Sequence, residues 1–240
     1  TQCPSMAAVG FDIDGGLAEY MVWPASQVIR LPDSLSSWEA ALTEPAAVAH
    51  HAVRRGRLGP GDQVAVLGAG TVGMLAMQAA RAIGARVYVV DRRQMSLDLA
   101  RDLGAEAAID SNATDAGQVL RDLTDGVGVD VVIDAAGGEE TPALAVQWVR
   151  RGGRAVLVAI YTSKPRYDFN KMVATEREMI GSLAYQQQDM EAAVGLIASG
   201  SVKTAPLVSG VIGLDEVVHV GYERMLAPAK NIFRLLVAPA

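Results

Sequence analysis

Val64-Ala65-Val66-Leu67-Gly68-Ala69-Gly70-Thr71-Val72-Gly73 decides the fold. A short apolar run enters a Gly-x-Gly-x-x-Gly. A helical stripe of Val72, Leu75, Ala76, Ala79, Ala80 and Ile83 leaves it and stops at Gly84. Gly68 suits the tight turn, Gly70 leaves the backbone open to a pyrophosphate, and Gly73 lets the helix pack close to the strand. The helix start then offers unpaired N–H groups and partial positive charge to phosphates. Alone the motif is weak, because a glycine-rich turn that binds no dinucleotide reads the same. The next apolar run, Val87–Val90, ends at Asp91, 18 residues beyond Gly73. A carboxylate there accepts hydrogen bonds from ribose hydroxyls and repels a 2′-phosphate, which favours NAD over NADP. Arg92 and Arg93 pull the other way, since a guanidinium pairs with phosphate. A methyltransferase loop sits at the same place but is usually preceded by an acid, and Leu67 occupies that position.

Further runs at Val129–Ile133 and Ala155–Val158 are short, β-branched and nearly unbroken, as in strands buried on both faces. Amphipathic stretches at Leu99–Leu103, Val119–Leu123 and Leu144–Val149 lie between the strands, the last ending in Gly152-Gly153. The alternation predicts an α/β, Rossmann-type doubly wound parallel sheet over residues 45–187. Residues 1–44 read as two strands, Leu17–Trp23 and Gln27–Leu31. A helix opened by the capping box Ser36/Glu39 follows, and it must stop or kink at Glu44-Pro45. Residues 188–240 read as a helix stopping at Gly200, a strand near 207–212, a helix near 214–226 and a strand Asn231–Val237. This last part is expected to complete the domain begun by residues 1–44.

The 240 residues are 50% hydrophobic and 20% charged, enough apolar material for a sizeable core. A net charge of −6 and the lack of a Lys/Arg run argue against a nucleic-acid binder. A lone cysteine, Cys3, excludes a disulfide framework and makes a reducing cytoplasm the simplest compartment. No apolar run approaches the roughly 18 residues of a membrane span. The first residue is Thr1, which reads as processing or as a piece of something longer.

The chain resembles the zinc-dependent medium-chain dehydrogenases, closest to the polyol branch of sorbitol, 2,3-butanediol and threonine dehydrogenases. The likeness runs along the whole chain. It rests on Asp14–Tyr20, Glu44–Val53, the Gly68–Gly73 loop, Arg151–Arg154, Ile180–Tyr185 and Leu214–Glu216. The resemblance implies a Rossmann domain with the remainder of a mostly β, GroES-like catalytic domain. It also implies a cofactor set: Gly68, Gly70, Thr71, Val72 and Gly73 at the phosphates, and Asp91 and Arg92 at the ribose. Ala135, Ala136 and Gly137 belong to that set too, as do Val158, Ala159, Ile160, Ser182, Leu183 and Ala184 along the nicotinamide. Tyr185 falls at a substrate-pocket tyrosine and Glu44 at or beside the catalytic zinc, which makes this pair the catalytic candidates. Cys3 resembles the last cysteine of a structural zinc site. The other zinc ligands of the family have no counterpart here, and neither Glu44 nor Cys3 can hold zinc alone. Ser96 stands where the branch often has arginine, and Ala184 where sorbitol dehydrogenases have one.

The activity so implied is NAD-dependent hydride transfer to or from a secondary alcohol, diol or polyol, zinc-assisted, in a homo-oligomer (dimer or tetramer). A metal-free quinone or enoyl reductase using NADPH, and a nucleotide-binding piece without activity, stay open. Outside the family pattern, Asp134 could contact the cofactor or cap the following loop. His50 and His51 are adjacent on a helix, hence unable to form an i, i+4 metal pair, and are read as packing or cleft-edge residues. Lys230 reads as a solvated end-of-strand charge.

Overall fold

A computed structural model describes residue 3, residues 5–227 and residues 231–239. Lys230 lies outside the described residues. In chain order the helices and strands are α1 Ser37–Ala40, α2 Thr43–Arg55, β1 Gln63–Leu67, α3 Thr71–Ala82, β2 Arg86–Asp91, α4 Gln94–Asp102 and β3 Ala107–Asp110. They continue as α5 Ala116–Asp122, β4 Val129–Asp134, α6 Thr141–Trp148, β5 Val149–Leu157, α7 Phe169–Val173, β6 Glu178–Gly181 and α8 Gln187–Ala198. The last are β7 Val208–Gly213, α9 Glu223–Leu226 and β8 Arg234–Ala238. The chain divides into two compact units, one spanning Thr43–Lys203 and one joining the residues up to Leu42 with those from Thr204 on.

In the larger unit six parallel strands run in the order β3-β2-β1-β4-β5-β6. Order reverses between β1 and β4, and in such sheets ligands bind outside the carboxyl ends of the strands at that switch point. The doubly wound parallel sheet is therefore established. Ala65, Leu67, Tyr88, Val90 and Val132 face one side and pack with Leu120 of α5 and Val146 and Trp148 of α6. Helices α3 and α4 pack on the strands, and α2 packs against α3 and α8. Val64, Val66, Val131 and Ile133 are fully buried. Each such side chain contributes about 1.5–3 kcal/mol of apolar transfer energy.

Several boundaries differ from the sequence reading. The helix opened at Ser36 ends at Ala40, and α2 begins afresh at Thr43 with Pro45 in its first turn. Proline's missing N–H costs nothing there, because first-turn N–H groups have no intrahelical partner. The Ser36 cap itself forms, with Ser36 Oγ accepting from Glu39 N at 3.3 Å and the Glu39 carboxylate accepting from Ser36 N at 3.1 Å. Val149–Gly153 is extended rather than helical, as the first part of β5.

The smaller unit departs further. A mostly β, GroES-like domain is not formed among the described residues. Those of this unit hold one parallel pair, β7 with β8, and an isolated bridge between Val9 and Ile13. The strands expected at Leu17–Trp23 and Gln27–Leu31 are absent. Most of their apolar side chains face solvent, Tyr20 at 90% and Val22 at 97% exposure. A strand needs a neighbour for its backbone N–H and C=O groups, and among the described residues no strand pairs with either stretch. The helix expected near 214–226 is a 3-10 turn, a π-helical stretch Val217–Tyr222 and α9 in succession. Among the described residues no helix is long and apolar enough to cross a membrane.

Candidate functional site

The carboxyl ends of β1, β2 and β4 are laced together by backbone hydrogen bonds. Gly68 N donates to Val90 O at 2.8 Å, and Ala135 N donates to Leu67 O at 2.9 Å. Gly68 has φ +96°, and a Cβ there would lie 2.8 Å from the Ala136 backbone. A Cβ on Gly73 would lie 1.9 Å from Gly68 O, so the helix start and the strand end touch backbone to backbone. Gly70 is different: its φ of −79° suits any residue, and nothing lies within 4 Å of a Cβ built on it. It also supplies no side-chain cap to α3. The loop thus presents an open backbone face ahead of a 12-residue helix, the arrangement that receives phosphate.

Asp91 ends β2 beside this loop. Its Oδ2 accepts from Ala69 N at 2.7 Å, and its Oδ1 accepts from the N–H groups of Arg92 and Arg93, both at 2.8 Å. Arg93 adds Nε to Oδ1 at 3.4 Å and donates Nη2 to Ala69 O at 3.1 Å. Asp91 therefore fixes the glycine loop and the β2–α4 turn. With about four lone-pair sites on a carboxylate, Oδ2 keeps capacity for a hydroxyl. Arg93 is committed to the loop, whereas Arg92 is exposed.

A cleft of about 1090 Å³ opens here, and its lining includes Gly68, Gly70, Asp91, Arg92, Ala135 and Ala136 of the expected set. Thr71, Val72, Gly73 and Gly137 are not among its lining residues; Gly73 and Gly137 are taken up by packing. A Cβ on Gly137 would meet Ile160 O at 2.9 Å, which joins the loop after β4 to the loop after β5. Val158 N and Ala159 N donate to Asp134 O at 3.0 and 3.1 Å, and Ser182 N donates to Leu157 O at 2.9 Å. Ile160 stands 87% exposed and Leu183 59% exposed, and Ala184 adopts φ +51°. Ser182 Oγ is buried without a hydrogen-bond partner. Ser96 is wholly buried on α4, its Oγ also unpartnered, so that position faces the protein interior.

Of the two roles open to Asp134, the structure has it capping the following loop. Its fully buried carboxylate accepts from Ala136 N at 3.0 Å, Thr141 Oγ1 at 2.6 Å and Tyr161 O–H at 2.7 Å. Burial, and then the Asp134 carboxylate, push the Tyr161 hydroxyl far above its ordinary range, so it stays a donor. The tyrosine's part had no local signal, since the contact spans 27 residues.

A second buried carboxylate, Asp189, had no signal in the sequence. His50 Nδ1 and His51 Nδ1 both reach Asp189, at 3.0 and 2.8 Å, although neighbours on a helix point in different directions. Arg54 donates Nε and Nη2 to the same group at 2.9 and 3.0 Å, and Gln186 N donates at 2.9 Å. Burial pushes the Asp189 carboxyl up, but Arg54, the Gln186 N–H and the two histidines outweigh it and hold it well below its usual range. This network ties α2 to the start of α8. The catalytic candidates lie on the segments it joins, Glu44 in the first turn of α2 and Tyr185 just before α8. They are in electrostatic reach: burial, and then the Glu44 charge, push the Tyr185 hydroxyl up.

Zinc does not fit the residues present. Cys3 is an exposed free thiol, and among the described residues no group of three or more His, Cys, Asp or Glu side chains could hold a metal ion. Zinc takes three or four protein ligands.

Comparison with known proteins agrees with this geometry. D-xylulose reductase A of Aspergillus oryzae is 33% identical over 92% of the chain and 63% of its own length. The structure of 2R,3R-butanediol dehydrogenase from Bacillus subtilis matches with TM-score 0.81 at 32% identity, over 88% of this chain and 60% of that one. A protein of Sinorhizobium meliloti 1021 described as a zinc-binding dehydrogenase, solved bound to NADP, matches with TM-score 0.91 at 30% identity, over 99% and 70%. The chain spans about 60% of the length of the curated relatives it matches. The family model for zinc-binding dehydrogenases matches residues 71–199, from the first residue of α3 to just past α8. With the parallel sheet and the glycine-loop crevice, that match places the chain in the zinc-binding dehydrogenase family.

Proposed function

We propose that the chain is the cofactor-binding part of an NAD-dependent oxidoreductase that moves a hydride between nicotinamide and a secondary alcohol, diol or polyol. The observation that carries this is the open backbone face at Gly70, set between the Gly68 turn and the Asp91 carboxylate. In this reading Gly68–Gly73 and the start of α3 take the pyrophosphate, and Asp91 Oδ2 takes a ribose hydroxyl. The loops Ala135–Gly137, Val158–Ile160 and Ser182–Ala184 bound the nicotinamide end. A bound nicotinamide supplies the hydride chemistry; the protein supplies position and an apolar wall. Ile160 and Leu183 offer that wall. Tyr185, kept protonated by burial and by Glu44, presents an O–H donor to a substrate oxygen. Glu44 and Cys3 are each a single candidate zinc ligand, so no step is routed through the metal. The butanediol dehydrogenase and xylulose reductase relatives support a polyol-class substrate.

Arg92 supports a second reading. It lines the cleft beside Asp91, and an NADP-bound relative is among the close structures, so NADP could take the place of NAD. The test is reduction of NAD and of NADP by 2,3-butanediol, sorbitol and xylitol, followed at the nicotinamide absorbance. Turnover with NAD supports the first reading and turnover with NADP the second. Tight dinucleotide binding with no turnover of any alcohol would contradict hydride transfer by this chain.

A further inference from the structure

A second groove of about 400 Å³ lies between α6 and the segment carrying α7, and it is strongly basic. Arg166, Lys171 and Arg177 line it, with Tyr167 and a single acid, Asp168. Asp168 is already engaged as the cap of α7, accepting from Asn170 N at 3.1 Å. Among the described residues none of the three cations is in an ion pair. Arg177 is the telling one. It is half-buried, and among the described residues its guanidinium makes one hydrogen bond, from Nε to the Arg150 carbonyl at 3.3 Å, which leaves both Nη groups without a protein acceptor. Burial lowers its pKa; Tyr167 works against that and the neighbouring Arg151 guanidinium with it. Arg151 itself donates to a backbone carbonyl, Ala174 O, rather than to a carboxylate. Burial raises the Tyr167 hydroxyl, so it remains a neutral donor.

A guanidinium withdrawn from water without a carboxylate, beside a second one, is costly unless an anion completes it. The planar fork of Arg177 matches a phosphate bidentately, and Lys171 and Arg166 supply point and fork charges. The groove has room for a phosphate carrying a small organic group. We infer that this groove binds the phosphate group of a small molecule, at a site apart from the dinucleotide crevice. The two clefts share one lining residue, the exposed Gln147. The inference stands whether or not the crevice takes a dinucleotide.

The test is titration of the full chain with inorganic phosphate and with glycerol 3-phosphate, by calorimetry and phosphorus NMR, against chloride at matched ionic strength. Saturable binding at or below about 10 mM is expected. The Arg177→Gln and Lys171→Gln variants should each weaken it at least about fivefold. Lys171 is exposed on α7, so its variant keeps the test valid should Arg177→Gln fail to fold. Tighter binding of glycerol 3-phosphate than of phosphate points to a metabolite, and equal binding to free phosphate. The titrations are repeated with saturating NADH, which occupies the glycine loop where phosphate can also bind, and saturable binding should persist. Absence of saturable binding, its loss under saturating NADH, or equal binding by Lys171→Gln would overturn the inference.

Discussion

Gly70 and Gly73 separate what the loop does for the fold from what it does for a ligand, and an alanine at each is the sharpest perturbation available. A Cβ on Gly73 would sit 1.9 Å from Gly68 O, 1.1 Å inside the 3.0 Å limit that real Cβ contacts respect. That atom belongs to backbone anchored through Gly68 N to Val90 O, so it cannot swing away. Overpacking costs about 1–3 kcal/mol, and a clash with fixed backbone belongs at the upper end. At roughly 2–4 °C per kcal/mol for a domain of this size, Gly73→Ala should lower Tm by about 6–12 °C. Gly70 has φ −79° and open space around it. Alanine is a poorer N-cap by about 0.5–1 kcal/mol, and the stiffer unfolded chain returns about 0.4–1 kcal/mol. Gly70→Ala should therefore melt within about 2 °C of the parent. Its methyl group would stand on the face proposed for the pyrophosphate, so dinucleotide affinity should fall at least tenfold, about 1.4 kcal/mol. Thermal melts and calorimetric titration with NADH read both numbers. A Gly70→Ala protein that binds NADH like the parent, or a Gly73→Ala protein that melts like it, would refute the reasoning.

Asp91→Asn should lose NADH affinity, relax discrimination against NADP, and lower stability by about 1–3 kcal/mol, because the amide cannot accept all the N–H groups now on the carboxylate; paired NADH and NADPH titrations with a urea melt check this. Tyr161→Phe deletes one donor to Asp134 while Thr141 and Ala136 N remain, so it should cost about 1.5–3 kcal/mol in urea melts without abolishing the fold. Asp189→Asn should destabilise at neutral pH. Since the folded carboxyl lies below its ordinary value of 3.8, the gap to the parent should close as pH falls below about 4 and acid protonates the unfolded chain. A gap that widens as pH falls below 4 would reverse the sign of that account.

The central strands were legible because a strand covered on both faces has to be apolar throughout. Val64–Leu67, Val87–Val90 and Val129–Ile133 have no other reading beside glycine punctuation. Strands β3 and β6 were not legible: each has four residues, each lies at a sheet edge, and β6 has no buried residue. Leu17–Trp23 has strand composition, but among the described residues no strand pairs with it. At the site, the spacing from Gly68 to Asp91 marked the residues that do assemble at one cleft, because that geometry is local in sequence. The loop-capping role of Asp134 was one of the two readings open from the sequence, whereas the buried Asp189 had no signal there. Asp189 meets His51 across 138 positions and Arg54 across 135, and no periodicity or spacing rule reaches that far. Arg93 looked like a phosphate ligand from its charge, yet its guanidinium holds the loop that carries the glycines.

A crystal structure of the chain grown with NADH tests the central claim most directly. The diphosphate should lie along Gly68–Gly73 with its oxygens at Gly70 and the start of α3, and a ribose hydroxyl should lie within hydrogen-bonding distance of Asp91 Oδ2. An empty crevice in crystals holding saturating NADH, or the dinucleotide seated elsewhere on the chain, would contradict it.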